Sequence, residues 1–255
     1  MSRLRVVAGE APDSVQGFEV GLVDANGVEQ RMPLAEAAGV RFEDCLPVRS
    51  FPSFKGQRSF PGLWRSSTMG RHVGFESWLE RDHAMLLDFD PRVVAFAPQP
   101  FWLFWPETSI TAKVRSHAPD WFARLDDDTA VVVDCRPAER RAPRDVAAFA
   151  ATERACAAVG WAYRLVGAPD PVFAANLRWL AGYRHPRHLV RLGARRLLEV
   201  FATPRPLLEG ARSAGEPIAV LPVLYHLLWL QRLAVDLSVR LDDASLVWPG
   251  EEPCQ

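Results

Sequence analysis

Three acidic side chains have the types and local settings that could bind a divalent cation. Glu80 lies in a segment with helical spacing of apolar residues, Asp120 follows a proline, and Asp134 lies at the end of an apolar run. Carboxylate oxygens are the ligands that Mg²⁺ prefers in proteins, with positions left open for phosphate oxygens and water. A cation held in this way activates water and neutralises charge on phosphorus, so the pattern predicts phosphodiester hydrolysis.

Strand geometry relates these side chains to a basic neighbour. Successive strand residues alternate between faces, so Asp134 and Arg136 are expected on one face and Cys135 on the other. Asp120 opens the partner strand and is expected across from Asp134, where two carboxylates favour a bound cation. Arg136 can orient water and neutralise phosphate, but its guanidinium stays protonated and cannot serve as a general base.

The elements around these residues follow from apolar periodicity and turn signals. Helical spacing predicts a helix over residues 75–89, ended by Asp90-Pro91, with Trp78 among the residues facing the core. The acidic turn at 126–128 joins the two strands of a hairpin over 121–136. The remaining predicted elements are a hairpin over 17–35 turning at Asn26-Gly27, strands over 93–96, 101–105 and 161–166, and helices over 143–159 and 170–183.

The C-terminal part has a different order of predicted elements. Helices are predicted over 186–202, 204–213 and 219–231, followed by strands separated at Asp242-Asp243, which is typical of a winged helix. The alternation of helices and strands predicts an α/β fold overall. The expected domains are an N-terminal hairpin and basic-aromatic arm (1–72), an α/β domain (73–184) and a winged-helix-like domain (185–255).

Residues 47–74 are rich in proline, glycine, serine and arginine, and are expected to form a loop or extended arm. No acidic residue occurs between Asp44 and Glu76. Arginine and lysine side chains supply sequence-independent contacts to DNA phosphates, and aromatic rings can stack on bases. The alternative is that the aromatic residues cover the sheet. The predicted DNA contacts are Arg49, Lys55, Arg58, Arg65 and Arg71.

Two further polar residues have open alternatives. Glu76 shares a helix face with Glu80 and is either a ligand for a second metal ion or a surface acid. His117, just before Pro119-Asp120, either reaches phosphate or water, or is an ordinary loop histidine.

Composition excludes several classes of protein. The four cysteines contain no CxxC pair, which argues against a zinc cluster. No apolar run approaches the ~20 residues that span a bilayer, and residues 1–10 lack the apolar stretch of a signal peptide. A cytoplasmic protein with no membrane partner is therefore expected.

The motifs resemble those of the TnsA-type endonuclease subunits of heteromeric transposases, a branch of the PD-(D/E)xK nucleases. The resemblance covers roughly residues 70–185. Its motifs are Ser77-Trp78-Leu79-Glu80, the segment 87–94, Gln99-Pro100-Phe101, Ala118-Pro119-Asp120-Trp121-Phe122, Val133-Asp134-Cys135-Arg136-Pro137 and Asn176-Leu177-Arg178-Trp179-Leu180. Arg136 stands where that family carries lysine, in a chain with only two lysines, Lys55 and Lys113.

The resemblance implies a restriction-endonuclease-like mixed sheet and a metal site. Glu80, Asp120 and Asp134 would bind Mg²⁺ or Mn²⁺ together with the backbone carbonyl of Cys135, and Arg136 would contact phosphate or water. It also implies a subunit that cuts one strand of double-stranded DNA at a transposon end. Its partners would be a DDE-type transposase subunit, which cuts and joins the other strand, and an AAA+ regulator.

Two other functions remain compatible with the same residues. One is a stand-alone nuclease of restriction or repair type that uses the same metal chemistry. The other is a catalytically inert DNA-binding or assembly subunit that retains the fold.

Overall fold

The computed structural model describes residues 17–50, 60–107 and 113–250. These fall into two units, one formed by residues up to 87 together with 92–167, and the other by 88–91 together with the residues from 168 onward. Helices and strands occur in both units, so the predicted α/β class is confirmed.

The first unit contains ten strands and three helices in its described residues. The strands are β1 (Glu19–Val23), β2 (Glu29–Pro33), β3 (Gly62–Arg65), β4 (His72–Phe75), β5 (Val93–Pro98), β6 (Trp102–Pro106), β7 (Val114–His117), β8 (Trp121–Leu125), β9 (Ala130–Cys135) and β10 (Ala162–Val166). The helices are α1 (Leu34–Ala37), α2 (Trp78–Phe89, whose last two residues are counted with the second unit) and α3 (Pro143–Ala158).

The sheet that carries the acidic residues has the order β10-β9-β8-β5. Its β5–β8 and β8–β9 pairs are antiparallel, whereas β9 and β10 are parallel because the chain returns through α3. Trp121 pairs with Val133, so continuing the register by one residue sets Asp120 opposite Asp134, as the hairpin predicted. Gln99 continues β5 at the same level, where its N–H donates to the carbonyl of Asp120 at 2.9 Å.

The predicted N-terminal hairpin is confirmed, but it is not an independent element. β1 pairs with β2 and also with β6, within a second four-stranded sheet of order β2-β1-β6-β7. This sheet therefore joins residues that the sequence assigned to two different domains.

Aromatic packing fills the core of the first unit. The ring of Phe42 lies 4.8 Å from Phe101, 5.2 Å from Phe122 and 5.7 Å from Trp161, measured between ring centres. Phe122 lies on β8, two residues after Asp120, and all four rings are almost inaccessible to solvent. The strand that presents Asp120 is thus anchored by tilted and edge-to-face aromatic contacts.

Two expectations around residues 47–80 are wrong. The expected loop over 47–74 contains β3 and most of β4, which form an antiparallel hairpin from Gly62 paired with Phe75 to Arg65 paired with His72. Trp78 begins α2 and faces solvent, with 51% of its surface exposed, instead of facing the core. Of the other residues expected to face the core, Phe75 and Met85 are buried, and Leu79, Leu86 and Phe89 are partly exposed.

The second unit contains four helices and three strands in its described residues. They are α4 (Pro171–Ala181), α5 (Arg191–Val200), β11 (Arg205–Pro206), α6 (Leu207–Ala214), α7 (Pro217–Trp229), β12 (Leu233–Val235) and β13 (Leu246–Pro249). The strands form an antiparallel sheet of order β11-β13-β12.

Helix α4 belongs to this second unit, although the sequence assigned it to the α/β domain ending at residue 184. The buried Asn176 explains the difference. Its amide donates to the carbonyls of Leu237 and Val239 at 2.9 and 2.6 Å, and its oxygen accepts from the N–H of Leu241 at 3.0 Å. These three bonds attach α4 to the C-terminal loop.

No helix in the three described ranges is long and apolar enough to cross a membrane.

Replacing Phe42 by alanine should lower the free energy of unfolding by about 3–5 kcal/mol, because the aromatic cluster cannot close around the missing ring. Urea unfolding followed by tryptophan fluorescence measures this. Val94→Ala, on the half-exposed side of β5, serves as the control and should change stability by less than about 0.5 kcal/mol. Equal effects of the two substitutions would contradict the packing described.

Candidate functional site

Glu80 is buried at the start of α2, where it belongs to the helix cap. Its carboxylate accepts from the N–H of Glu76 and from the hydroxyl of Ser77, both at 2.7 Å, while the Ser77 hydroxyl accepts from the N–H of Glu80 at 3.2 Å. This reciprocal arrangement resembles a capping box and fixes the carboxylate in place. Burial raises the pKa of Glu80, although these hydrogen bonds oppose the shift.

Asp120 lies immediately before the first residue of β8 and retains some contact with solvent. One carboxylate oxygen accepts from the backbone N–H of Cys135 at 2.7 Å, and the other accepts no hydrogen bond from the described residues. Burial, followed by the negative charges of Glu80 and Asp134, raises the pKa of Asp120 well above its ordinary value. The structure therefore brings these three carboxylates within electrostatic range of one another.

Asp134 is held differently from the other two acids. It is 1% exposed, and its two oxygens are both occupied. One lies 2.8 Å from Nε2 of His117 on β7, and the other accepts from the Tyr163 hydroxyl on β10 at 2.7 Å. Burial and the adjacent Asp134 carboxylate raise the pKa of Tyr163, so the phenol remains a hydrogen-bond donor.

Cys135 and Arg136 complete this end of the sheet. Burial and the nearby carboxylate of Asp120 raise the pKa of the Cys135 thiol, so it stays protonated and is a poor metal ligand. Arg136 is exposed, its N–H donates to the carbonyl of Val166 at 2.8 Å, and its guanidinium has no partner among the described residues. Its positive charge lowers the pKa of Asp120, but less than burial and the two acids raise it.

The donor set determines how a cation could be bound. Across residues 17–50, 60–107 and 113–250, no three His, Cys, Asp or Glu side chains are arranged as the ligands of one metal ion. The oxygen chemistry of Glu80, Asp120 and the Cys135 carbonyl fits Mg²⁺, and one Asp120 oxygen is free to bind it. Both oxygens of Glu80 and both oxygens of Asp134 already accept or contact a hydrogen-bond partner, so a cation would use a remaining lone pair on either acid. Asp134, which is 1% exposed, is the less accessible of the two.

The residues predicted to bind DNA have different interaction partners. Nη2 of Arg49 donates to both carboxylate oxygens of Glu76, at 2.9 and 2.7 Å. Glu76, the acid considered as a ligand for a second metal ion, is thus paired with Arg49. Arg71 is exposed and donates to the backbone carbonyl of Glu43, and Arg65 on β3 donates to the carbonyl of Ser66. Lys55 and Arg58 lie outside the described residues.

Two residues of this region were not predicted from the sequence as part of the site. Tyr163 reaches Asp134 because β9 and β10 are parallel neighbours, a pairing that the apolar pattern of β10 does not reveal. Gln99 is 1% exposed, its amide atoms have no partner among the described residues, and its φ of 43° lies in the left-handed region. The preceding proline-rich segment gives no signal of that conformation.

Asp120→Asn should stabilise the protein at neutral and alkaline pH in the absence of metal. The folded state raises the pKa of Asp120 above the ordinary value of 3.8. The contribution of this carboxyl to folding stability is therefore fully present below pH 3.8 and is lost as the pH rises through the raised pKa. The variant should therefore have a higher Tm than the wild type at pH 8 in EDTA, and a similar Tm near pH 4. Asp126→Asn, at an exposed acid, should show no such difference. A lower Tm for Asp120→Asn at pH 8 would contradict this electrostatic account.

A comparison of the sequence with models of protein families and with curated proteins finds no match.

Proposed function

We propose that the protein is a divalent-metal-dependent DNA endonuclease whose metal ligands are Glu80, Asp120 and the backbone carbonyl of Cys135. The observation that carries this proposal is the register of β8 and β9, which sets Asp120 opposite Asp134 and lets the Asp120 carboxylate accept from the N–H of Cys135. Burial and the charges of Glu80 and Asp134 raise the pKa of Asp120 at this position. Strongly perturbed acids with a specific charged neighbour are typical of functional sites. A bound cation would reverse the repulsion that this arrangement creates.

The chemistry follows from the residues at this end of the sheet. Mg²⁺ or Mn²⁺, when bound, supplies an activated water and neutralises negative charge on the phosphate. Glu80 and Asp120 are held in position by Glu76, Ser77 and the Cys135 N–H, so little reorganisation precedes binding. Arg136 has a free, exposed guanidinium that can contact a phosphate oxygen, but it cannot remove a proton from water.

The wider assignment is supported by topology together with the motifs. A helix bearing an acid, an antiparallel hairpin bearing two more, and a helical return to a parallel strand agree with a restriction-endonuclease-like mixed sheet. In the second unit, α5, α6 and α7 with a three-stranded sheet suit a winged helix. By its resemblance to TnsA-type proteins, this subunit would cut one strand at a transposon end beside a DDE-type transposase and an AAA+ regulator.

A second candidate function is a catalytically inert DNA-binding or assembly subunit with the same fold. The observation that favours it is the closed arrangement of Asp134, whose oxygens are both occupied by His117 and Tyr163. A buried acid whose hydrogen bonds are all made stabilises a fold and helps to define a single conformation, and this role needs no catalysis. Binding of metal separates the two candidates.

Calorimetric titration with Mg²⁺ and Mn²⁺ tests the metal site directly. The wild type should bind at least one ion at pH 8 and gain Tm on binding, because a ligand of the folded state alone stabilises it. Asp120→Asn and Glu80→Gln should each abolish or greatly weaken binding. Glu139→Gln, at an exposed acid after β9, should bind as the wild type does. Equal binding by the Asp120 and Glu139 variants would exclude the proposed ligands, and no binding by the wild type would favour the inert subunit.

Cleavage tests the function itself. Asp120→Ala should remove metal-dependent strand cleavage, by a factor of at least about 100, without unfolding the protein. Arg136→Lys should preserve or raise the rate, because lysine can also accept a proton when its pKa is lowered. The assay uses end-labelled DNA, with and without the partner transposase, and cutting of arbitrary DNA by this chain alone would indicate a stand-alone nuclease. Unchanged cutting by Asp120→Ala would overturn the mechanism.

A further inference from the structure

An exposed aromatic surface lies beside the helix turn that carries Glu80. Its members are Phe60 and Trp78, the latter at the start of α2, and we call it the stacking surface. We propose that the stacking surface binds an unpaired base of DNA next to the cut site. This inference rests on the proposed nuclease function and names the form of the substrate: DNA that is locally single-stranded.

The geometry of the surface is defined by contacts to the indole of Trp78. The ring of Phe60 lies 6.0 Å away and is tilted by 32°, and the buried Phe75 lies 6.3 Å away and is tilted by 35°. The guanidinium of Arg81 lies 4.3 Å from the centre of the indole and is held by Asp82 at 2.6 Å. The indole is therefore fixed by its neighbours in advance of any ligand.

The surface remains open to solvent in spite of its apolar character. Phe60 is 59% exposed and Trp78 is 51% exposed, whereas Phe75, which contacts Trp78, is buried. Exposed large apolar side chains that lie together on a surface are typical of binding sites.

The charge around the surface indicates nucleic acid as its occupant. No acidic residue occurs between Asp44 and Glu76, and Glu76 itself is neutralised by Arg49. The cation in contact with the indole is Arg81. Arg71 and His72 are exposed at the other end of the β3–β4 hairpin, where the guanidinium of Arg71 donates to the backbone carbonyl of Glu43. Exposed aromatic rings beside cationic side chains are the features by which proteins bind single strands, through base stacking and phosphate contacts.

The position of Trp78 links stacking to cleavage. Trp78 and Glu80 are the first and third residues of α2, about 3 Å apart along the helix axis, and their side chains point to different sides, Trp78 to solvent and Glu80 to the interior. The Ser77 hydroxyl and the Glu76 N–H that hold the Glu80 carboxylate belong to the same turn. A base stacked on Trp78 would thus lie at the same end of α2 as the proposed metal ligand Glu80.

Fluorescence anisotropy in EDTA tests the proposal without requiring metal or catalysis. The probes are a blunt DNA duplex and the same duplex with an unpaired overhang at one end. Trp78→Leu should weaken binding of the overhang duplex by about 5- to 100-fold and leave binding of the blunt duplex within about 2-fold. Trp78→Phe, which keeps an aromatic ring, should retain most of the affinity.

A matched control removes an equally exposed indole elsewhere. Trp179 on α4 is 53% exposed, and Trp179→Leu should bind both probes as the wild type does. Equal loss on both probes by Trp78→Leu, or no loss on either, would overturn the stacking proposal.

Asp120→Asn tests the nuclease assignment separately, since it should bind both probes in EDTA yet fail to bind Mn²⁺ and to cut. If Asp120→Asn still binds Mn²⁺ and cuts, the proposed function fails whatever Trp78→Leu does. Absence of binding to any DNA by the wild type would overturn both proposals. Loss of transposase binding by Trp78→Leu, with unchanged DNA binding, would assign the surface to a protein partner and overturn the stacking proposal.

Discussion

Mutual repulsion among buried carboxylates is the constraint on which the architecture of this sheet end depends. Asp120, Glu80 and Asp134 come from three separate elements and lie within electrostatic range of one another. Each acid is held by its own donors, which are helix-cap groups for Glu80 and a backbone N–H for Asp120. These bonds reduce the cost of burying charge but do not remove the repulsion, because the donors are mostly neutral.

The three acids differ in the hydrogen bonds that their carboxylate oxygens accept and in their exposure to solvent. Asp134 is satisfied on both oxygens and is surrounded by core, so in this conformation it acts as an anchor between β7, β9 and β10. Asp120 has one oxygen free of hydrogen bonds from the described residues and keeps some contact with solvent. Glu80, like Asp134, has a hydrogen-bond partner on each oxygen. Asp120 is therefore the acid that a cation would meet with the least competition.

The sequence predicts the individual helices and strands well, and the contacts between residues of different elements poorly. The helix around Glu80, the Asp120–Asp134 hairpin and the strand following α3 can all be predicted, because periodicity and turn residues are local signals. The partner of Asp134 on β7 belongs to a different sheet, so no local pattern links His117 to it. The outward position of Trp78 is missed for a related reason: helical spacing identifies apolar residues but does not tell which of them stay exposed.

The sheet register concentrates its unusual features in one row. Gln99, Asp120 and Asp134 are aligned across β5, β8 and β9, beyond or at the ends of regular pairing. Gln99 adopts a left-handed backbone at a cost on the order of 1–2 kcal/mol and also leaves its buried amide without a partner among the described residues. Other rows of the sheet contain apolar pairs that favour folding, such as Phe122 with Val132. Backbone strain at Gln99 and the repulsion between Asp120 and Asp134 therefore fall in the same row of the sheet. Selection for stability alone would have replaced them with the apolar pairs found one residue further along each strand.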